Sequence, residues 1–224
     1  MDIRKVRAVL FDLDGTLLDT IRDIGACVND VMRRYGYPER DVEEYKELVG
    51  HGARVLIETS VPEGTPEEQI AEIWQTYREH YRENFARYTR YYPGVREFLT
   101  DLAGKGYLLG VITNKTQATA ERILAKYFPE IAFSLLWGNN GKRPLKPALE
   151  TALLACRELE VAPEEVAFVG DGDTDMEFAS KAGFYACGVT WGYRPRQVLL
   201  DCGADVLADS FEELRALFPG EKKG

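Results

Sequence analysis

Cysteine is scarce in this chain. Its four residues, Cys27, Cys156, Cys187 and Cys202, show no C-x-x-C spacing, which argues against thiolate metal sites and for reduced core residues. Positive charge is short as well: 28 Lys and Arg face 37 Asp and Glu, a formal net charge of −9. That balance argues against nucleic acid as a partner, because phosphate backbones are gripped by clustered Lys and Arg. A small phosphate compound stays open, since it needs only a local positive site. No apolar run approaches the ~18 residues of a membrane helix, and Asp12 interrupts any signal-peptide core. The expectation is a cytoplasmic protein without membrane contact. Also missing are a G-x-x-x-x-G-K-[ST] loop and a G-x-G-x-x-G after a strand, so nucleotide-dependent phosphoryl transfer has no support. A charged, disorder-prone composition is confined to the last residues, Glu221-Lys222-Lys223-Gly224.

A hydrophobic share of 45% in 224 residues is a globular value, enough for a core domain carrying a smaller inserted one. The most informative stretch is Phe11-Asp12-Leu13-Asp14-Gly15-Thr16. It follows Val6–Leu10, a short apolar run of the kind a buried parallel strand shows. Asp12 and Asp14 are two residues apart, so a strand continuing through them projects both carboxylates to one face. Gly15 then lets the backbone turn, and the Thr16 hydroxyl can close that turn. Two carboxylates ~5 Å apart repel by about 3 kcal/mol at an effective dielectric near 20. A simple turn needs only one acid; a fold keeps the pair when a cation or a proton sits between them. The stretch reads as a metal-dependent reaction centre.

The pattern then turns helical. Ile21, Ile24, Val28, Val31 and Tyr35 recur at helical steps, with Thr20 as N-cap and Gly36-Tyr37-Pro38 as stop. A second helix is expected from about Val42 to Val49, broken by Gly50-His51-Gly52, and a third from Ala53 to Ser60. The fourth opens on Thr65-Pro66-Glu67-Glu68, with Thr65 as cap and Pro66 at the first helical position. It carries Ile70, Trp74, Tyr77, Tyr81 and Tyr88 on one face, an aromatic stripe that reads as bundle core rather than binding surface. His51 could face a substrate or be a plain loop histidine. Arg54 is the better candidate for holding an anionic substrate. The expected division is an α/β core from residues 1–17 and 93–224, and a four-helix insert over 18–92.

After Gly94 strands and helices alternate. Strands are expected at Tyr107–Thr113, Phe133–Trp137, Val166–Val169, Tyr185–Val189 and Val206–Leu207, and Gly104 and Gly183 are helix stops. Such alternation gives a parallel sheet covered on both faces, with ligands at the carboxyl ends of its strands. Those ends carry Asp12 and Asp14, then Thr113-Asn114 with free N–H groups where the next helix opens, and then Gly170-Asp171-Gly172-Asp173-Thr174-Asp175. Lys146 lies in a loop held between Pro144 and Pro147. A calcium loop would need Gly after Asp175 and an acid at its twelfth position. Met176 and Ala182 stand there instead, so that reading fails.

Oxygen ligands without His or Cys favour a hard cation, Mg²⁺ with several waters retained. Asp12 can then attack a phosphate whose charge the metal and Lys146 offset, forming an aspartyl-phosphate. Asp14 can protonate the leaving oxygen and later take a proton from water. Thr113, Asn114 and Lys146 would hold phosphoryl oxygens, and the helical insert would cover the strand ends and select the substrate.

These residues in this order resemble the haloacid dehalogenase superfamily: Asp12-Leu13-Asp14-Gly15-Thr16, Thr113, Lys146, and Gly170-Asp171 through Asp175. Within it, Thr113-Asn114-Lys115, Lys146-Pro147 and Gly188-Val189-Thr190-Trp191-Gly192-Tyr193 are similar to the phosphoglycolate phosphatase group. The resemblance implies a Rossmann-like core with an inserted four-helix cap. It further implies Asp12 as nucleophile, Asp14 as acid/base, and Mg²⁺ held by Asp12, the Asp14 carbonyl and Asp171. Asp175 would stand behind the metal or orient Lys146, and Gly15, Asn114 and Arg54 would contact substrate. The implied activity is hydrolysis of a small phosphorylated metabolite, 2-phosphoglycolate first, with pyrophosphate, nucleoside monophosphates and sugar phosphates as alternatives. The dehalogenases themselves lack the second Asp, which is present here as Asp14. Sugar-phosphate mutases carry a His early in the cap, and Asp19–Tyr35 contains none. A non-catalytic binding module is the third reading. Oligomeric state is left open.

Overall fold

The computed structural model describes residues 3–220, so the charged tail at 221–224 lies outside the described residues. Six parallel strands form the central sheet: β1 (Ala8–Phe11), β4 (Leu108–Thr116), β5 (Leu135–Asn139), β6 (Val166–Gly170), β7 (Tyr185–Val189) and β8 (Val206–Ala208). Their spatial order is β5-β4-β1-β6-β7-β8. β1 therefore lies inside the sheet, flanked by β4 and β6, and is buried along its whole length. Strict alternation divides its side chains. Val9 and Phe11 join one core cluster and Ala8 and Leu10 the other, as period-two geometry requires. Helices α5 (Val95–Gly104), α6 (Gln117–Tyr127), α7 (Leu149–Leu159), α8 (Asp173–Ala182), α9 (Arg196–Asp201) and α10 (Phe211–Leu217) complete the α/β layers.

Between β1 and β4 the chain leaves the sheet through β2 (Leu18–Asp19) and returns through β3 (Arg90–Tyr91). These two short strands pair antiparallel, a ribbon with no signature in the sequence. The excursion holds α1 (Ile21–Arg34), α2 (Tyr45–Leu48), α3 (Ala53–Ser60) and α4 (Glu67–Asn84). Both α1 and α3 pack on α4; of the expected stripe Tyr77 and Tyr81 are buried and Ile70 and Trp74 only partly so, while Ile73, which the stripe did not include, is fully buried. Tyr88, placed on that stripe by spacing, lies beyond the helix end and is exposed.

Several expected helix ends move. Thr20 sits at the N-cap position of α1 without bonding the helix; its hydroxyl goes to Asp14 instead, at 2.5 Å. Pro66, not Thr65, precedes the first turn of α4, and the Thr65 hydroxyl bonds the Pro62 carbonyl. Gly104 ends inside α5 while Gly106 takes the left-handed conformation. The expected stop at Gly183 stands, with φ +72°. Helix α8 begins at Asp173, earlier than its apolar residues announce. Asp173 and Asp175 thus occupy its first turn, where the helix dipole favours negative charge.

Candidate active site

Asp12 follows β1, Asp171 follows β6, and Lys146 precedes α7; the parallel sheet brings all three to one edge. Side-chain oxygens of Asp12, Asp171 and Asp175 lie within 4.8 Å of one another. Lys146 threads between two of them: its ammonium donates to Asp12 Oδ1 at 2.8 Å and to Asp175 Oδ1 at 2.6 Å. Only 2% of that side chain is exposed, and two of its three N–H donors are taken by the pair. Burial pushes the Asp12 carboxyl up to about 6, with Lys146 pulling the other way. Burial also drives Asp171 well above the ordinary carboxylate range, and the charges of Asp175 and Asp12 add to the shift. Burial works against the Lys146 ammonium, yet Asp12 and Asp175 outweigh it and raise its pKa. Three carboxylates against one ammonium leave an excess of negative charge in a largely buried site, and a hard divalent cation is the group that such oxygen donors fit.

Asp14 is not in that cluster. Its two oxygens accept from Lys115 Nζ at 2.8 Å each, and Thr20 holds Oδ1. β1 ends at Phe11 and Gly15 turns the chain immediately afterwards, so the two acids take separate cationic partners instead of sharing a strand face.

Thr16 departs from its expected turn-closing role: its hydroxyl reaches across to Asp171 Oδ1 at 2.8 Å. Gly15 adopts φ +82°, and a Cβ there would lie 2.2 Å from Asp171 Oδ2. Its N–H donates to the Leu18 carbonyl. Gly15 therefore lets the first loop touch the second acid and has no N–H to offer a substrate. Asn114, expected to donate to phosphate, is also committed. Its amide donates to the carbonyls of Gly50 and Lys146 and accepts from the Lys146 N–H, so it positions the lysine loop. Thr113 is buried and lines the cavity. It lies beyond the regular β4–β5 pairing, which shifts register between Ile112 and Thr116.

Arg54 is not brought to the site. It pairs with Glu58 one turn along α3, as residues four apart on a helix do, and with Glu67 at the start of α4. His51 is half-exposed, 3.7 Å from Asp173, and lies outside the cavity lining.

Three contributors were not singled out as site residues. Lys115 carries the counter-charge of Asp14. Tyr193 donates its N–H to Asp171 Oδ2 at 2.8 Å and places its hydroxyl against Thr20. Arg194 pairs with Asp173 and donates to the carbonyls of Lys46 and Val49, tying the sheet edge to the helical excursion. The signal available was adjacency: each abuts a stretch already recognised, but sequence does not say which way an adjacent side chain points.

A cavity of about 580 Å³ opens over this cluster, lined from the sheet side by Asp12, Thr113 and Lys146 and from the helices by Ile24, Leu56 and Tyr81. The charge excess gives a direct prediction. Raised carboxyls favour the fold when protonated, so in EDTA the contribution of Asp12 to stability falls as pH rises from about 4 through about 6. Mg²⁺ answers the same deprotonated groups. Its stabilising effect, read as the difference in Tm with Mg²⁺ and with EDTA, is expected to be larger at pH 7.5 than at pH 5; an equal difference at both would mean the ion binds elsewhere.

The family model for haloacid dehalogenase-like hydrolase matches residues 9–189. A phosphoglycolate phosphatase of Chromobacterium violaceum is 34% identical over 96% of this chain and 97% of its own length. An N-acetylmuramic acid 6-phosphate phosphatase of Pseudomonas aeruginosa is 33% identical over 94% of this chain and 93% of its own length. Among solved structures, one described as a predicted phosphoglycolate phosphatase from Haemophilus somnus superposes with a TM-score of 0.89 at 26% identity. It covers 95% of this chain and 98% of that one.

Proposed function

The chain belongs to the haloacid dehalogenase-like hydrolase family, and from that premise we propose that it is a Mg²⁺-dependent phosphatase that hydrolyses a small phosphate monoester through an aspartyl-phosphate on Asp12. The observation that carries the proposal is the Lys146 ammonium shared between Asp12 and Asp175 beside Asp171. It leaves the second Asp12 oxygen for chemistry while fixing the first.

Asp12 and Asp171 would hold the ion with the Asp14 carbonyl; when bound, the metal offsets phosphate charge so that a carboxylate can approach. A free Asp12 oxygen attacks phosphorus, and the phosphorus–ester oxygen bond breaks. Protonated Asp14 gives its proton to the departing oxygen. It can do so only with one oxygen released from Lys115, which leaves that ammonium for the substrate. Asp14 then takes a proton from water, the resulting hydroxide attacks phosphorus, and the Asp12–phosphate bond breaks to restore the carboxylate. Lys146 and Thr113 hold the phosphoryl oxygens. Residues 18–92 serve as a cap over the reaction, anchored through Arg194 and Asn114, and exclude bulk water. The names of the relatives support a substrate in the range from phosphoglycolate to N-acetylmuramic acid 6-phosphate.

A phosphate-ester panel assayed with Mg²⁺ and with EDTA tests the reading. Release of inorganic phosphate should fall at least ~100-fold in EDTA and return on adding Mg²⁺. Undiminished release in EDTA would remove the metal from the mechanism.

A further inference from the structure

The loop after β7 reaches two acids of the site at once. Gly192 lies so close to Asp171 that a Cβ there would stand 2.2 Å from the Asp171 Cβ. The next residue, Tyr193, donates its N–H to Asp171 Oδ2 at 2.8 Å. With its backbone fixed there, Tyr193 lines the cavity and carries its hydroxyl to Thr20, the residue before α1.

Counting protons gives the direction of the bonds that result. Thr20 is fully buried, and its hydroxyl has one proton to donate. That proton goes to Asp14 Oδ1 at 2.5 Å, because an ionised carboxylate only accepts. The two hydroxyls lie 3.2 Å apart, so the proton between them belongs to Tyr193. The Tyr193 oxygen in turn accepts the Thr20 N–H at 3.1 Å. The outcome is a chain from Tyr193 O–H to Thr20 Oγ1 and from Thr20 O–H to Asp14 Oδ1, in which each bond polarises the next.

The chain ends on one oxygen only. Asp14 Oδ1 accepts from both Thr20 and Lys115, whereas Oδ2 accepts from Lys115 alone. When Lys115 turns away, Oδ1 stays held and Oδ2 is freed. Resting on the reading of the chain as a phosphatase, we propose that Tyr193 is a positioning residue for proton transfer: through Thr20 it anchors Asp14 Oδ1, so that Oδ2 is the oxygen that delivers the proton to the departing ester oxygen as the phosphorus–oxygen bond breaks. Oδ2 takes a proton back from water in the second half of the reaction. The Tyr193 hydroxyl acts through Thr20 and not on the substrate.

Leaving groups of different basicity test this. An alkoxide needs a proton as it departs, while p-nitrophenolate leaves as a stable anion. Single-turnover release of the leaving group at saturating Mg²⁺ is compared for p-nitrophenyl phosphate and for whichever of phosphoglycolate and N-acetylmuramic acid 6-phosphate the parent cleaves faster. Tyr193→Phe keeps the ring and the N–H on Asp171. It should lower the rate about tenfold for the alkyl ester and less than ~2-fold for p-nitrophenyl phosphate, the scale of one hydrogen bond. Thr20→Val should give the same split, and adding Tyr193→Phe to it should cost less than ~2-fold more, since the two residues act in series. Thr20→Ser, which keeps the hydroxyl, should retain the alkyl rate. The difference in Tm with Mg²⁺ and with EDTA should be the same for Tyr193→Phe as for the parent, because Asp171 keeps its N–H donor. Equal losses on both esters, or no loss on either, in Tyr193→Phe or in Thr20→Val, overturn the positioning role and leave the phosphatase standing. A parent that cleaves only p-nitrophenyl phosphate overturns it as well, since no proton donor would then be at work. A parent that cleaves none of the three esters overturns the phosphatase reading itself.

Discussion

Replacing Asp12 with Asn is expected to cut turnover at saturating Mg²⁺ by at least ~10⁴-fold, the scale seen when a covalent nucleophile is removed. The substitution keeps the shape of the side chain and an oxygen able to accept from Lys146, so packing is not disturbed. What disappears is the anionic oxygen that must reach phosphorus. The electrostatic cost of the change is small, because burial already pushes the Asp12 carboxyl up to about 6 and opposes its charge. In EDTA the variant should therefore melt at or above the temperature of the parent, and only the stabilisation by Mg²⁺ should shrink. Single-turnover phosphate release decides the matter. Activity above ~1% of the parent, at the lower end of what removing a catalytic group costs, would take the nucleophile role away from Asp12.

Lys146→Met is expected to damage stability as well as activity. The ammonium is buried and bonds Asp12 and Asp175 at 2.8 and 2.6 Å. Methionine fills much of the space but leaves two carboxylates together without a cation. Breaking a buried ion pair by removing one partner costs about 3–5 kcal/mol, which in a chain of this size lowers Tm by about 10 °C. The sign of the pH dependence follows from Asp12. Its carboxyl, already raised, can take a proton as pH falls, so the deficit measured in EDTA should be smaller at pH 5 than at pH 7.5. A fall in Tm of less than ~2 °C, under one kcal/mol on the same scale, would show that Lys146 contributes little to holding the acids together.

The two predictions differ in kind because the residues do. Asp12 has one oxygen held and one available, which is a reacting geometry; Lys146 is only 2% exposed and serves as the counter-charge on which the cluster folds. Lys115 plays the corresponding part for Asp14. Each acid of the first loop thus has its own lysine, drawn from a different connection of the sheet.

Much of this was legible before any coordinates. Short apolar runs located the parallel strands, because burial on both faces leaves no choice of residue type there. The acids at the ends of β1 and β6 and the lone Lys146 were identifiable for the same reason: charges adjoining buried strands need a partner or a role. Thr16, Thr20 and Asn114 were read as local turn, cap and phosphate-donor residues, since sequence displays neighbours along the chain and not across it. Their polar atoms in fact bond Asp171, Asp14 and Lys146. Arg54 failed in the opposite sense, with a charge well placed along the chain but taken by Glu58 one helical turn away.

Sequence by itself determined the fold class, the strand-end acids and the oxygen-donor chemistry, because each follows from residue type and period. Only the tertiary structure decided that Asp12 and Asp14 take separate lysines, that Arg194 binds the helical excursion to the sheet edge, and how much space lies above the acids. Those outcomes depend on contacts between residues up to about 150 positions apart, such as Arg194 with Lys46, and no local pattern encodes the distance at which two remote side chains meet.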